Sequence, residues 1–209
     1  MPQKLKPHKV ARVLKEKKMN LFTPLEFKSV FGVSNWACQW FIKTHTKEGL
    51  FVKIRNGLYM LADYPASHYL IANRLYEPSY ISFDTALSFY GIIPETVYTI
   101  TSATTKNTRE FKANNVSFVY HKLKEGAYTG YKPIKYLDST ILMAESEKAL
   151  ADYLYFVVLK RRGLHYERLD LKKINKANLL KHIKLFKQPK MNKLVKKIYA
   201  ESRRPKRIY

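Results

Sequence analysis

The run FVKIRNGLYML, residues 51 to 61, constrains this chain more than any other stretch. Two β-rich segments flank Asn56-Gly57, the dipeptide that most readily supplies the positive φ angles of a tight turn, so a two-stranded ribbon is expected. Everything before it reads as helix. Residues 7 to 18 put Val10, Val13 and Leu14 on one helical face, with Lys9, Arg12, Lys15 and Lys18 elsewhere. In TPLEFKSVFG, Thr23 is an N-cap, Pro24 suits the first helical position and Glu26 completes a capping box; Phe27, Val30 and Phe31 form the apolar stripe and Gly32 stops the helix. Ser34 caps a third helix, NWACQWFIKTHTKE, which Gly49 ends. The link between the second and third helices is about three residues and contains glycine, the helix-turn-helix spacing.

Helix, helix-turn-helix and basic ribbon is the order of a winged-helix DNA-binding domain, here expected over residues 1 to 63. A helix fits the major groove, while a narrow ribbon lies along the backbone or reaches the minor groove. In the third helix Cys38, Phe41, Ile42 and His45 share the face assigned to the core. Asn35, Gln39 and Lys43 are left outside, and Lys53, Arg55 and Asn56 stand at the ribbon's tip. Asn and Gln suit adenine edges, and Lys and Arg suit phosphate or guanine, so these six are the candidate DNA-binding residues. Trp36 and Trp40, at i,i+4 spacing, are expected to be packed away, and His45 to be a core histidine.

Charge supports a polyanionic partner. The 209 residues carry 39 Lys and Arg against 16 Asp and Glu, a net charge of +23, but unevenly: +9 over residues 1 to 61, −1 over 62 to 159 and +15 over 160 to 209. A compositional bias alone would load the middle as heavily as the ends. The single cysteine, Cys38, excludes an internal disulfide and a multi-cysteine zinc site. No apolar run approaches the roughly 20 residues of a membrane span, and MPQKLKPHKV leads into a charged helix rather than a signal peptide's apolar segment, so a cytoplasmic protein is expected. With 46% hydrophobic residues the chain can bury one sizeable core and a smaller second one.

Pro65 marks the expected boundary to a second domain over residues 64 to 209, which should fold by itself after a cut there. ASHYLIANRLYEPSYISFDTALSFYGIIPE reads as helix, short strand and a second helix capped by Ser82 and closed by Gly91. TVYTITSAT alternates as a strand. REFKANNVSFVYHKL reads as a hairpin turning at Asn114-Asn115, with Val116, Phe118 and Tyr120 facing one way, and STILMA is a last strand. SEKALADYLYFVVLKRRG is a long covering helix with Leu150, Tyr153, Leu154, Val157 and Val158 as its buried face. The fold class is α+β, with a small, mostly antiparallel sheet.

The segments NGLYML, YISFDTALSFYGI, TITSATTKNTREF and AESEKALADYLY, at these relative distances, resemble the AbiEi antitoxins of type IV toxin-antitoxin systems over roughly residues 7 to 160. The resemblance implies a two-domain bacterial phage-defence protein that represses its own operon through the winged helix, binding inverted repeats in its promoter. It also implies that the second domain neutralises a nucleotidyltransferase-like toxin without a stable complex. By that similarity Gly57 and Tyr59 occupy the wing, and Glu147, Lys148 and Asp152 belong to the motif opening the long helix.

Two enzyme patterns stand beside this reading. Asp84 with Glu110-x-Lys112 imitates the carboxylates and lysine of metal-dependent nucleases, and Ser82, His121 and Asp138 can be drawn as a triad. Chance accounts for the first in so charged a chain, and no nucleophile elbow surrounds Ser82. There is no phosphate-cradling Gly-rich loop and no His/Cys ligand cluster, so no enzyme activity, metal or cofactor is expected. A plain winged-helix regulator without a toxin is the remaining alternative.

Two further helices, 175 to 187 and 190 to 200, are separated by Gln188-Pro189. Leu179, Leu180, Ile183 and Phe186, then Met191, Leu194, Val195 and Ile198, give each an apolar stripe that should dock on the middle domain. Lys181, Lys184, Lys187, Lys190, Lys193 and Lys196 recur every third residue and would line a second basic surface for DNA, RNA, nucleotide or toxin. RRPKRIY, 203 to 209, is expected to stay unfolded.

Overall fold

The computed structural model describes residues 5–163 and 169–202; the expectation for 203 to 209 lies outside the described residues. The chain opens with α1 (Pro7–Glu16), β1 (Leu21–Phe22), α2 (Pro24–Phe31), α3 (Asn35–Lys47), β2 (Phe51–Arg55) and β3 (Leu58–Leu61). Local chemistry sets the boundaries. The Glu26 amide donates to Thr23 Oγ1 at 3.3 Å and the Thr23 amide to Glu26 Oε2 at 2.7 Å, which closes the capping box on α2. Gly32 turns the chain out of α2 with a φ of +61°, and Ser34 accepts the Ala37 amide at 3.2 Å to start α3. At the hairpin tip only Gly57 takes a positive φ, +76°, and the register shifts between Lys53 and Arg55. The turn is therefore bulged on the β2 side rather than a symmetric pair of left-handed residues. β1, two residues long and too short to read from the sequence, adds to β3 with Leu21 opposite Met60.

This three-stranded sheet is apolar on both faces. Phe22, Phe51 and Leu61 close over Val10, Leu14, Phe27, Cys38, Phe41 and Ile42. Leu21, Ile54, Leu58 and Met60 point the other way, into the larger core that also holds Ala66, Ile71, Ala72 and Leu75. Pro65 is thus a boundary in the chain but not in the packing. Polar contacts cross it too: Tyr64 donates to Asp138 at 3.0 Å, and Arg74 donates to both Glu26 oxygens at 2.7 and 2.9 Å.

That last contact makes Glu26 a pH sensor of the junction. Burial alone would raise its carboxyl, but the Thr23 amide, the Arg74 guanidinium and the Thr23 hydroxyl together hold it below the ordinary 4.5. A carboxyl lowered on folding contributes stability that is complete above its unfolded value and is lost as pH falls through the folded one. Glu26→Gln should therefore flatten the acid limb of a stability profile below about pH 4.5 and cost about 0.5 to 2 kcal/mol at neutral pH as a weakened cap. An unchanged acid limb in chemical denaturation across pH would remove Glu26 from that role.

Beyond Pro65 come α4 (His68–Leu75), β4 (Ser79–Ile81), α5 (Phe83–Phe89), β5 (Ile100–Thr104), β6 (Arg109–Ala113), β7 (Val116–Lys122), β8 (Tyr131–Tyr136), β9 (Ser139–Ala144), α6 (Ser146–Val158), α7 (Lys176–Leu185) and α8 (Pro189–Glu201). The strands form one mixed six-stranded sheet in the order β6-β7-β5-β4-β9-β8, with β4·β9 and β5·β7 parallel and the other three pairs antiparallel. Asn114 and Asn115 both adopt positive φ at the β6–β7 turn. β8, YKPIKY, has no counterpart in the sequence reading: it contains Pro133 and is largely exposed, as an outermost strand tolerates.

One face of the sheet meets α4, where the Tyr120 hydroxyl donates to the Ala72 carbonyl at 2.6 Å. The other face meets α5 and α6, where Tyr80 and Ser82 donate to Asp152 at 3.1 and 2.6 Å. Ser82 still precedes α5, but its hydroxyl makes no cap; the buried carboxylate takes it instead. α6 also departs from the expected one-sided burial. Every residue from Lys148 to Phe156 is buried, whereas Val157 and Val158 are half-buried. α7 and α8 account for this by packing over its outer side. Pro189 is the first residue of α8 rather than a spacer.

Candidate nucleic-acid interface

α3 is oriented by its inner face. Cys38, Phe41, Ile42 and His45 are buried, and the Cys38 thiol donates to the Pro24 carbonyl at 3.3 Å, fixing α3 against the start of α2. His45 takes the core role expected of it, with Nδ1 2.6 Å from Glu48 Oε2. At about 100° per residue the opposite side must carry Asn35, Trp36, Gln39, Trp40, Lys43 and Lys47, and all six are exposed.

Between α3 and the hairpin runs a groove of about 450 Å³, lined by Gln39, Lys43, Thr46 and Lys47 on the helix and by Lys53 and Tyr59 on the strands. No carboxylate lines it. The structure thus brings Gln39, Lys43 and Lys53 together. Asn35 stays outside the lining, exposed in the first turn of α3. Asn56 is exposed at the turn, where its carbonyl accepts from Arg55 at 2.9 Å. Arg55 departs from the free cation expected: its Nε donates to the Leu75 carbonyl at 3.0 Å, so much of the guanidinium is spent holding the hairpin tip to α4. Lys47 and Thr46 were not singled out from the sequence, although Lys47 follows Lys43 at the i,i+4 spacing that puts both on one face. The tryptophans also depart from expectation: Trp36 is 75% and Trp40 53% exposed.

A second cationic surface lies far from the first. On α7 and α8, Leu179, Ile183, Phe186, Met191, Val195 and Ile198 are buried, and Lys181, Lys184, Lys187, Lys190, Lys193 and Lys196 are exposed. No Asp or Glu occurs between residues 171 and 200. The helices sit outside α6, across the six-stranded sheet from α4 and the hairpin, so the two basic surfaces face away from each other.

The residues of the enzyme patterns have other partners. Asp84 pairs with Arg162, whose Nη2 lies 3.2 Å from His121 Nε2, at the wall of a cavity of about 540 Å³. Burial, aided by the Arg161 cation, holds the His121 imidazole below its ordinary value. Ser82 is committed to Asp152, and Asp138 is exposed, taken by Lys18 and Tyr64. Glu110 and Lys112 are exposed on β6, at the edge of the sheet. Among the described residues no group of three or more His, Cys, Asp or Glu is placed to hold a metal ion, and no helix is long and apolar enough to cross a membrane. Of the residues in the motif opening α6, Glu147 accepts the Asn175 amide at 2.9 Å and so ties α6 to the entry of α7, while Lys148 and Asp152 form a fully buried ion pair. No family model matches the chain, and no curated protein matches it.

Proposed function

We propose that this chain binds double-stranded DNA as a winged helix, with α3 in the major groove and β2–β3 as the wing, and acts as the autorepressor and antitoxin of a type IV toxin-antitoxin pair. The observation that carries the DNA-binding reading is the carboxylate-free groove in which Lys43, Lys47 and Lys53 surround Gln39. Phosphates following a duplex past the helix would meet lysines on both walls, while the Gln39 amide has the two-point geometry that suits an adenine edge. The antitoxin part rests on the AbiEi resemblance alone, and it makes a nucleotidyltransferase-like toxin the functional partner.

Gel-shift titration of the full chain at two salt concentrations tests the first part. Lys43→Ala and Lys53→Ala should each weaken binding to all duplexes alike and reduce the salt slope by about one unit. Gln39→Ala should instead relax discrimination at one base pair, by about 1 to 3 kcal/mol. Arg55→Ala should lower stability more than it changes the slope, because its partners are in the protein. Slopes unchanged in both lysine variants would remove the groove from the interface. For the second part, co-expression with a nucleotidyltransferase encoded beside this gene should rescue growth, and no rescue would reject the antitoxin role.

A further inference from the structure

Trp36 and Trp40 stack on each other at the surface, with ring centroids 6.4 Å apart and planes 16° from parallel. Large apolar side chains left this open are rare in a helix whose other face is fully packed, and nothing in the fold needs them there. They lie opposite Cys38 and Phe41, on the outermost line of α3, and share that line with Lys43 and Lys47 of the groove. A helix that enters a major groove on this face must carry both indoles in with it.

What they meet there follows from the chemistry of the groove. Base edges present donors and acceptors, which an indole carbon edge cannot satisfy, and one apolar group, the C5-methyl of thymine. We infer that the Trp36–Trp40 pair packs against thymine methyl groups and makes α3 select thymine-bearing A·T steps. The inference rests on the DNA-binding reading above and deepens it. Two other uses of the pair fit less well. Insertion between bases needs open ring faces, and each indole already covers a face of the other. Symmetric pairing of two copies through this patch would set Lys43 and Lys47 of one copy against the same cations of the other, a like-charge contact that phosphates instead relieve.

The chain contains two tryptophans in all, so intrinsic tryptophan emission reports this site and nothing else. The full chain is titrated, by emission and by gel mobility, with three duplexes of equal length: A·T-rich, the same sequence with deoxyuridine for thymine, and G·C-rich. The inference expects a saturable change in emission on the thymine duplex and binding about three- to tenfold weaker once the methyl groups are removed. In the gel, the Trp36→Ala, Trp40→Ala double variant should bind the thymine and uracil duplexes equally; both side chains are exposed, so its fold should survive. Equal affinity of the native chain for those two duplexes would overturn the inference, as would binding without any change in emission. Emission that shifts with protein concentration in the absence of DNA, together with a doubled mass in sedimentation, would assign the patch to self-association and overturn it as well. Binding to none of the three duplexes would sink the DNA-binding reading and this inference with it, whereas thymine-independent binding would sink this inference alone.

Discussion

Residues 64–209 expressed without the first 63 should not reach the stability of the full chain, and should bind hydrophobic dye and aggregate under conditions where the intact protein is folded. The cut removes Leu21, Ile54, Leu58 and Met60 from the larger core and uncovers the side of α4 formed by Ile71, Ala72 and Leu75. At about 1.5 to 3 kcal/mol for each fully buried side chain, the loss is on the order of 5 to 10 kcal/mol. That is as large as the net stability of most domains, about 5 to 15 kcal/mol. The Arg55–Leu75 and Arg74–Glu26 contacts go with it. Urea unfolding of both chains decides the matter: a cooperative transition of the fragment within about 1 kcal/mol of the full chain would show that the shared core is dispensable, since effects that small belong to ordinary surface changes. The prediction also bears on toxin neutralisation, because a fragment that fails to protect cells would first have to be shown to be folded.

Breaking the pair inside α6 should be nearly as damaging. Lys148 and Asp152 are both fully buried, one turn apart, with Ser82 and Tyr80 donating to the same carboxylate. Burial pushes the Asp152 carboxyl up from its ordinary range, against the opposing pull of the Lys148 ammonium and the two hydroxyls. Asp152→Ala leaves an ammonium whose remaining neighbours include the rings of Phe186, 4.7 Å away, and Tyr80, 5.9 Å away. The cost should be about 3 to 5 kcal/mol. Lys148→Met alone should cost a similar amount by stranding the carboxylate, while Lys148→Met combined with Asp152→Leu should recover most of it. A double-mutant cycle by denaturant unfolding measures the coupling, and additive single costs would show that the two side chains do not act as a pair.

The parts of this fold that were legible in the sequence are those fixed within a few residues. The Thr23 capping box, the Ser34 cap, Gly32, the Asn114-Asn115 turn and the inner face of α3 all depend on neighbours three or four positions away. Gln39, Lys43 and Lys53 converge for the same reason, since a capped helix followed by a hairpin leaves little freedom in where they point. Contacts made across long sequence distances were not legible. Ile54, Leu58 and Met60 read as strand, but nothing local says that their partners lie beyond Pro65. Arg55 looks like any wing cation until the Leu75 carbonyl is beside it. Ser82 is a sound cap candidate until a carboxylate 70 positions away claims its hydroxyl. Burial on every side of α6 requires knowing that α7 and α8 return to it, and the pattern Lys148-x-x-x-Asp152 otherwise reads as an ordinary surface pair.

The enclosure of α6 also bears on the order of events during synthesis. A helix apolar on all sides, with a charged pair at its centre, has no stable resting place until its last wall arrives, and that wall is made by side chains from Leu179 to Ile198. The core around α1, α2 and α3 has no such dependence, because each of its buried members comes from residues 10 to 61. On the ribosome the N-terminal core can therefore close while the six-stranded sheet still waits, and the nascent chain would carry a basic, nucleic-acid-seeking face before its second half is sealed. Any chaperone that attends this protein would find its substrate in that interval, on the uncovered side of α6.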